Sequence, residues 1–195
     1  MSKFNEKLYR EGTVKMMEAL GVDWYKNPNL EETPDRMVDA AREIFAGHFD
    51  KPPEVKVFPN DMHYDQMVIT GPIAFYSMCE HHILPFNGNA WIGYVPRGKV
   101  ADEIAGLSKF DRVVDHFARR LQTQERMTQQ IADYLVKILE PVGLMIVLEA
   151  EHYCRKMRGV RQNGGVMRTS ALKGRFLEFP DLKMEMLMLV NGKGK

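Results

Sequence analysis

A short stretch of this chain, residues 77–86, carries a thiol, a carboxylate and two imidazoles at four consecutive positions. Cys79 and His82 have C-x-x-H spacing, which lets one turn of backbone present a sulfur and a nitrogen to the same ion, and zinc accepts that pair. Because two ligands do not make a site, a third must come from elsewhere. The other cysteine of the chain, Cys154, follows His152 by two residues in a second dense cluster.

Cys79, His82 and Cys154 would form a Cys2His set with a fourth position left for water, which is typical of catalytic rather than structural zinc. Such a zinc lowers the pKa of its water to about 7 and makes hydroxide available near neutral pH. The alternative is two buried free cysteines and a core histidine. The spacing favours zinc over this alternative.

His81 and His152 are candidates for proton transfer. On a strand, residues two apart point to the same face, so a strand that continues through this segment would place His152 beside Cys154 as a proton donor. For His81, proton transfer and a hydrogen bond that only orients a ligand stay equally open.

A third group of polar residues stands where a helix is predicted to begin. Ser108, Lys109 and Arg112 would meet an anion at the positive end of the helix dipole, and Arg158 lies close to the second cysteine in sequence. The alternative is that Ser108 is only an N-cap and the basic side chains are solvated, and this segment alone favours that alternative.

Gln124 and Glu125 open the following predicted helix. A carboxylate at this position can accept two N–H groups from the edge of a guanine ring. Its simpler role is to compensate the helix dipole in the first turn.

Length and charge limit the class of protein. With 195 residues, two cysteines and a net charge of +1, the chain is long enough to bury a core without disulfides. It shows no secretion signal and no apolar run of about 18 residues, so we expect a cytoplasmic protein without a membrane span. Residues 152–177 contain seven Lys or Arg and no acid. This excess suits a phosphate-bearing small molecule, because the near-neutral total and the lack of interleaved aromatic residues argue against nucleic acid.

The apolar periodicity predicts helices and strands of ordinary length. Helices are expected over residues 5–20, 33–46, 108–121, 123–139 and 180–190. Strands are expected over residues 55–58, 66–70, 73–78, 89–95, 144–149 and 167–173. Pro85 to Gly88 is expected to form the hairpin turn that follows the ligand motif.

Four motifs together resemble the GTP cyclohydrolase I family, and the match runs from residue 27 to residue 176 in the family's order. The motifs are Cys79-Glu-His-His, Gly106-Leu-Ser-Lys-x-x-Arg112, Arg120-Leu-Gln-Thr-Gln-Glu-Arg126 and His152-Tyr-Cys-x-x-x-Arg158-Gly. The resemblance implies an α+β tunnelling fold (T-fold), in which an antiparallel sheet carries helices on one side. It also implies an N-terminal helical region over residues 1–50, a catalytic unit over residues 51–195, and a homodecamer with active sites between subunits.

The activity implied is hydrolytic opening of the imidazole ring of GTP at C8, with release of formate and formation of 7,8-dihydroneopterin triphosphate. By resemblance the zinc ligands are Cys79, His82 and Cys154, and the proton-handling residues are His81 and His152. The residues expected to bind GTP are Gln124 and Glu125 for guanine, Ser108, Lys109, Arg112 and Arg158 for the triphosphate, and Arg36. Folate, other pterins and 7-deazaguanine nucleosides can all begin from this product.

Two departures from the family's pattern leave other functions open. The link over residues 101–105 is longer and more acidic than usual, and Gly164 and Gly165 stand where Ser and Thr are common. One alternative is therefore a T-fold relative that binds a purine or pterin without opening the ring. A separate alternative, a nucleic-acid binder with a structural zinc, rests on the basic stretch from Arg155 to Arg175.

Overall fold

The computed structural model describes residues 3–97 and 103–192, so part of the 101–105 link lies outside the described residues. The chain forms two compact units, Met1–Lys51 and Pro52–Lys195.

The N-terminal unit is built from two helices, α1 (Glu6–Ala19) and α2 (Thr33–Ile44). Asn5 caps α1, since its side chain accepts a hydrogen bond from the Leu8 N–H at 3.0 Å. Short 3-10 turns follow at Trp24–Lys26 and Ala46–His48. Both predicted helices are confirmed, although α2 ends two residues before the predicted boundary.

The second unit contains a five-stranded sheet and a small two-stranded one. The strands are β1 (Val57–Pro59), β2 (Val68–Cys79), β3 (Leu84–Val95), β4 (Glu103–Ala105), β5 (Leu121–Gln122), β6 (Gly143–His152) and β7 (Met167–Gly174). The main sheet has the order β5-β2-β3-β6-β7, with antiparallel pairs except for the short parallel pair of β5 with β2. Strands β1 and β4 pair separately.

Two strand predictions merge into one element. Residues 68–70 of the first predicted segment and all of the segment 73–78 belong to the single strand β2, whose register with β3 shifts between Thr70 and Ile73. The shift is a bulge that changes which residues face the core.

Helices pack on the sheet according to the alternation of apolar residues in β3 and β6. The remaining helices are α3 (Leu107–Ala118), α4 (Gln124–Leu139), α5 (Tyr153–Lys156), α6 (Arg175–Glu178) and α7 (Pro180–Asn191). Phe86, Ile92, Leu144 and Ile146 face one side of the sheet and share a core with α3 and α4. On the opposite side, Met145 and Val147 of β6 share a second core with Met186 of α7. The α+β class is confirmed, and α7 adds a partial cover to the second face.

The predicted hairpin turn is wrong, because residues Pro85 to Gly88 belong to β3 rather than to the turn. Cys79 pairs with Leu84 in the sheet, so the turn is the ligand motif itself, residues 80–83. Gly88 serves close packing instead, since a Cβ atom there would lie 1.8 Å from a β6 carbonyl oxygen. The short turn follows Cys79 directly and contains His82, so it keeps these two proposed metal ligands close together.

Candidate active site

The structure brings three residues that are distant in sequence into one group. Cys79 ends β2, His82 lies in the following turn and Cys154 lies in α5, and their ligand atoms all fall within 4.8 Å of one another. The register explains this convergence, because Phe86 of β3 pairs with His152 of β6, which carries the end of β6 to the turn. Both cysteines are free thiols.

The donor atoms of this group fit a metal ion. A tetrahedral ion bound at about 2.3 Å to sulfur and about 2.0 Å to nitrogen holds its ligand atoms roughly 3.5–3.8 Å apart, which small movements of these side chains would achieve. Burial raises the pKa of the Cys154 thiol, and the nearby Cys79 raises it further. A metal must therefore displace protons when it binds, as is usual for thiolate ligands.

Arg158 also reaches the metal group. Its Nη1 atom lies 2.8 Å from Nε2 of His82. A guanidinium only donates hydrogen bonds, so this ring nitrogen accepts. Neutral imidazole has one such lone pair, and Arg158 and a metal ion would compete for it.

His152 is held by a stack and a hydrogen bond. Its ring lies parallel to Phe86, with centroids 4.6 Å apart, and its Nε2 atom is 2.9 Å from Oε1 of Gln124. Burial lowers the pKa of His152, while the negative charge of Glu125 raises it. Strand β6 ends at His152 and a helical turn follows, so the expectation of one continuous strand to Cys154 is wrong.

Gln124 is buried, and its side-chain amide is hydrogen-bonded inside the protein. Its side chain is 1 % exposed, and its amide nitrogen lies 3.2 Å from the Leu148 carbonyl, 3.0 Å from the Met167 carbonyl and 3.1 Å from Oγ1 of Thr169. These acceptors fix the orientation of the amide, so its oxygen faces His152 and accepts the Nε2 proton. His152 is then left with Nδ1 as the nitrogen that can exchange a proton.

The two remaining polar residues of the ligand motif contact each other. His81 is exposed, with Nδ1 3.8 Å from Sγ of Cys79 and Nε2 4.0 Å from a carboxylate oxygen of Glu80. Glu80 also forms a bidentate ion pair with Arg126 in α4. Sequence spacing contains no signal for this pair, because its members are 46 residues apart.

Three of the four predicted phosphate residues, Ser108, Lys109 and Arg112, form a group at the start of α3. The N-cap is Gly106 and no side-chain cap bond forms, so the expectation that Ser108 caps this helix is wrong. Ser108 and Arg112 are exposed and Lys109 is half-buried. Within residues 3–97 and 103–192, no hydrogen bond or ion pair joins this group to the metal group.

Part of the basic excess is neutralised internally. Lys156 pairs with Glu151, Arg168 with Glu149, and Lys173 with Asp133. In the N-terminal unit, Arg36 pairs with Glu32 at 2.5 Å. The ion pairs of Lys156, Arg168 and Lys173 weaken the nucleic-acid alternative further.

The family model described as GTP cyclohydrolase I matches residues 9–191. The chain belongs to the GTP cyclohydrolase I family. Membership agrees with the predicted tunnelling fold, whose mixed sheet-and-helix architecture is the one described above.

Relatives in this family are similar over nearly their whole length. The chain is 41 % identical to GTP cyclohydrolase 1 of Halalkalibacterium halodurans over 194 residues, which covers 98 % of this chain and 100 % of that protein. It is 44 % identical to GTP cyclohydrolase 1 of Streptomyces coelicolor over 174 residues, 89 % of this chain and 85 % of that protein. Among solved structures, the apo archaeosine synthase QueF-Like has a TM-score of 0.40 and 16 % identity over 57 % of this chain and 94 % of its own, which is too weak a likeness to support an argument.

Among the described residues, no helix is both long enough and apolar enough to cross a membrane.

Proposed function

We propose that this protein is an active GTP cyclohydrolase I, which opens the imidazole ring of GTP by hydrolysis, releases formate and forms 7,8-dihydroneopterin triphosphate. The observation that carries the proposal is the convergence of Cys79, His82 and Cys154 beside a histidine held in one tautomer. Relatives that match over nearly the whole chain carry this enzyme's name.

Zinc is the metal that we assign to Cys79, His82 and Cys154. The set of two sulfurs and one nitrogen suits this borderline-soft ion, and three protein ligands leave one position open. When bound in such a site, zinc acts as a Lewis acid that makes a hydroxide nucleophile available near neutral pH. Its binding would also release Arg158 from His82, which frees a guanidinium for the triphosphate of GTP.

His152 is assigned to proton transfer at a nitrogen of the guanine ring. Because the Nε2–H group of His152 donates its hydrogen bond to Gln124, we assign the proton transfer to Nδ1 of His152. Gln124, with its amide fully engaged inside the protein, acts as a positioning residue in this proposal rather than as a direct contact to guanine. His81 remains a candidate for a second proton-handling group next to Cys79.

GTP would be held at its two ends. Glu125 is exposed at the start of α4 and can accept the N–H groups of the guanine edge. Ser108, Lys109 and Arg112 at the start of α3, with Arg158, supply a hydroxyl and positive charges for the triphosphate.

We further propose a homo-oligomer, with the decamer implied by the family resemblance as its form. Among the described residues, β7 has no strand on its outer edge, and β5 covers β2 only at Met78 and Cys79. Exposed edges of this kind pair readily with another chain. A site completed by a neighbouring copy accounts for the missing link between the α3 group and the metal group. Light scattering of the purified protein measures the oligomeric state.

We place the enzyme in the cytoplasm, because its free cysteines, Cys79 and Cys154, would be oxidised easily in a secretory compartment. Their sulfur atoms lie within 4.8 Å of each other, and a disulfide between them would remove both ligands.

The decisive experiment is incubation of zinc-loaded protein with GTP, followed by measurement of formate and of pterin fluorescence after oxidation. We expect one formate for each pterin over many turnovers. Tight binding of GTP or a pterin without formate would instead support the T-fold relative that does not open the ring. Full activity of the protein after metal removal would contradict the assignment of zinc.

A further inference from the structure

A bidentate ion pair connects the turn that carries the proposed metal ligands to helix α4, and the chemistry proposed above does not use it. Nη1 of Arg126 lies 2.5 Å from Oε2 of Glu80, and Nη2 lies 2.7 Å from Oε1. Two parallel hydrogen bonds between a guanidinium and a carboxylate fix both distance and relative orientation. The pair therefore constrains where the turn stands relative to the helix.

On the turn side, Glu80 is held by its backbone and its side chain. Its N–H donates to the Gln122 carbonyl at 3.0 Å, and its Oε1 lies 4.0 Å from Nε2 of His81. Cys79 immediately precedes Glu80 and His82 follows by two residues. Because Glu80 lies between these two proposed metal ligands in a short turn, we expect the contact made by its carboxylate to influence the position of both.

On the helix side, Arg126 lies in the first turn of α4. Its N–H donates to the capping hydroxyl of Thr123 at 3.2 Å, so the backbone there is well defined. Gln124, two residues earlier, bonds His152. Glu125, which we assign to the guanine edge, stands between them in sequence.

Three consecutive residues of α4 thus reach three parts of the proposed site. We infer that Glu80 and Arg126 are positioning residues, which hold the metal-binding turn in register with the guanine-binding turn of α4. The inference rests on the proposed function. The pair is partly exposed, with relative side-chain exposures of 45 % for Arg126 and 29 % for Glu80. Ion pairs this exposed contribute little to folding stability, so their loss should change the site more than the fold.

The test compares the wild-type protein with Arg126→Met, Arg126→Lys, Glu80→Gln and the double variant Glu80→Gln/Arg126→Met. Arg10→Met is the matched control, because Arg10 forms a bidentate pair with Asp35, at 2.7 and 3.2 Å, within the N-terminal unit. Three quantities are measured: zinc affinity by competition with a chromophoric chelator, the visible spectrum of the cobalt(II) form, and kcat and KM for GTP.

We expect Arg126→Met and Glu80→Gln each to weaken zinc binding by about 10- to 100-fold, the range typical for residues that orient metal ligands. The cobalt(II) spectrum should change, and kcat/KM should stay reduced when zinc is saturating. Arg126→Lys should bind zinc less weakly than Arg126→Met, because lysine keeps the positive charge but cannot form the two parallel hydrogen bonds of the guanidinium. The double variant should lose little more than either single variant, as expected for residues that act as a pair.

Wild-type zinc affinity and an unchanged cobalt(II) spectrum in Arg126→Met and Glu80→Gln would overturn the inference. So would an equal loss in Arg10→Met, because it would indicate a general effect on the protein. The metal measurements do not need turnover, so they decide the inference even if the wild-type protein releases no formate. Formate release by the wild type with unaffected variants would refute the inference and leave the proposed function standing.

Discussion

Replacing Gln124 with leucine, which has a similar volume, should separate the positioning of His152 from the stability of the fold. The substitution removes the hydrogen bond to His152 at 2.9 Å and the amide contacts to two carbonyl groups and to Thr169. Each such bond contributes about 0.5–1.5 kcal/mol, and four of them sum to roughly 2–6 kcal/mol. Leu148 and Met167 lie in the paired strands β6 and β7, where carbonyl groups can find strand partners, so we expect a loss of about 2–4 kcal/mol in the free energy of unfolding.

The effect on catalysis should exceed what this loss of stability explains. Without the amide oxygen, Nε2 of His152 has no fixed acceptor, so the ring populates both tautomers and can rotate. General acid–base catalysis contributes about 10²- to 10⁴-fold, and we expect kcat for formate release to fall by at least about 10²-fold. Zinc affinity should stay within a few fold of the wild type, because His152 is not among the proposed ligands.

Asn60→Leu is the matched control, because Asn60 is also buried and its side-chain amide forms two hydrogen bonds with the backbone of Tyr64, outside the proposed site. Urea unfolding measures the stability of both variants, and formate release measures kcat under conditions where both are folded. We expect Asn60→Leu to lose stability and to keep kcat within a few fold of the wild type. Equal kcat in the two variants would refute the reasoning about the tautomer.

Further predictions concern the metal, the phosphate and the close packing of the sheet. Cys154→Ala should lose zinc and turnover together, whereas His152→Ala should keep zinc, by metal analysis, and lose turnover by at least about 10²-fold; retained turnover in either variant would contradict these roles. Arg158→Met should raise KM for GTP more than it lowers kcat and should not weaken zinc binding, since Arg158 competes for the lone pair of His82; weaker zinc binding would contradict the competition. Gly88→Ala should lower the free energy of unfolding in urea by more than about 2 kcal/mol, because its Cβ would lie 1.8 Å from a backbone oxygen; an unchanged midpoint would contradict this.

Secondary structure followed from local patterns wherever the pattern was strong. The helix signals of α1, α3 and α4 depend on apolar residues that recur every three or four positions, and the structure confirms these helices. Boundaries were less predictable, because they depend on packing. Pro85 to Gly88 has the composition of a turn, yet pairing with β2 and the burial of Phe86 hold it in β3.

In the candidate site, too, some features followed from the local sequence and others depended on packing. The C-x-x-H spacing of Cys79 and His82 is local, and the small number of cysteines made Cys154 the obvious third ligand. The end of β6 at His152 was not predictable, because a strand continues or stops according to its partner strands. Strand parity was therefore a false reason for placing His152 near the metal group. The structure places His152 at the end of β6, opposite Phe86 of β3 and two residues before Cys154.

By itself, the sequence determined the family, the order of the longer helices and strands, and the residue types able to bind a metal and a nucleotide. These properties depend on periodicity and on short motifs, both of which are visible in the sequence itself. It did not predict the short elements β4, β5, α5 and α6. Only the tertiary structure decided that Gln124 turns inward to His152 and that Glu80 pairs with Arg126. Such contacts join residues 28 and 46 positions apart, and they form only because strand register and helix packing bring the side chains together.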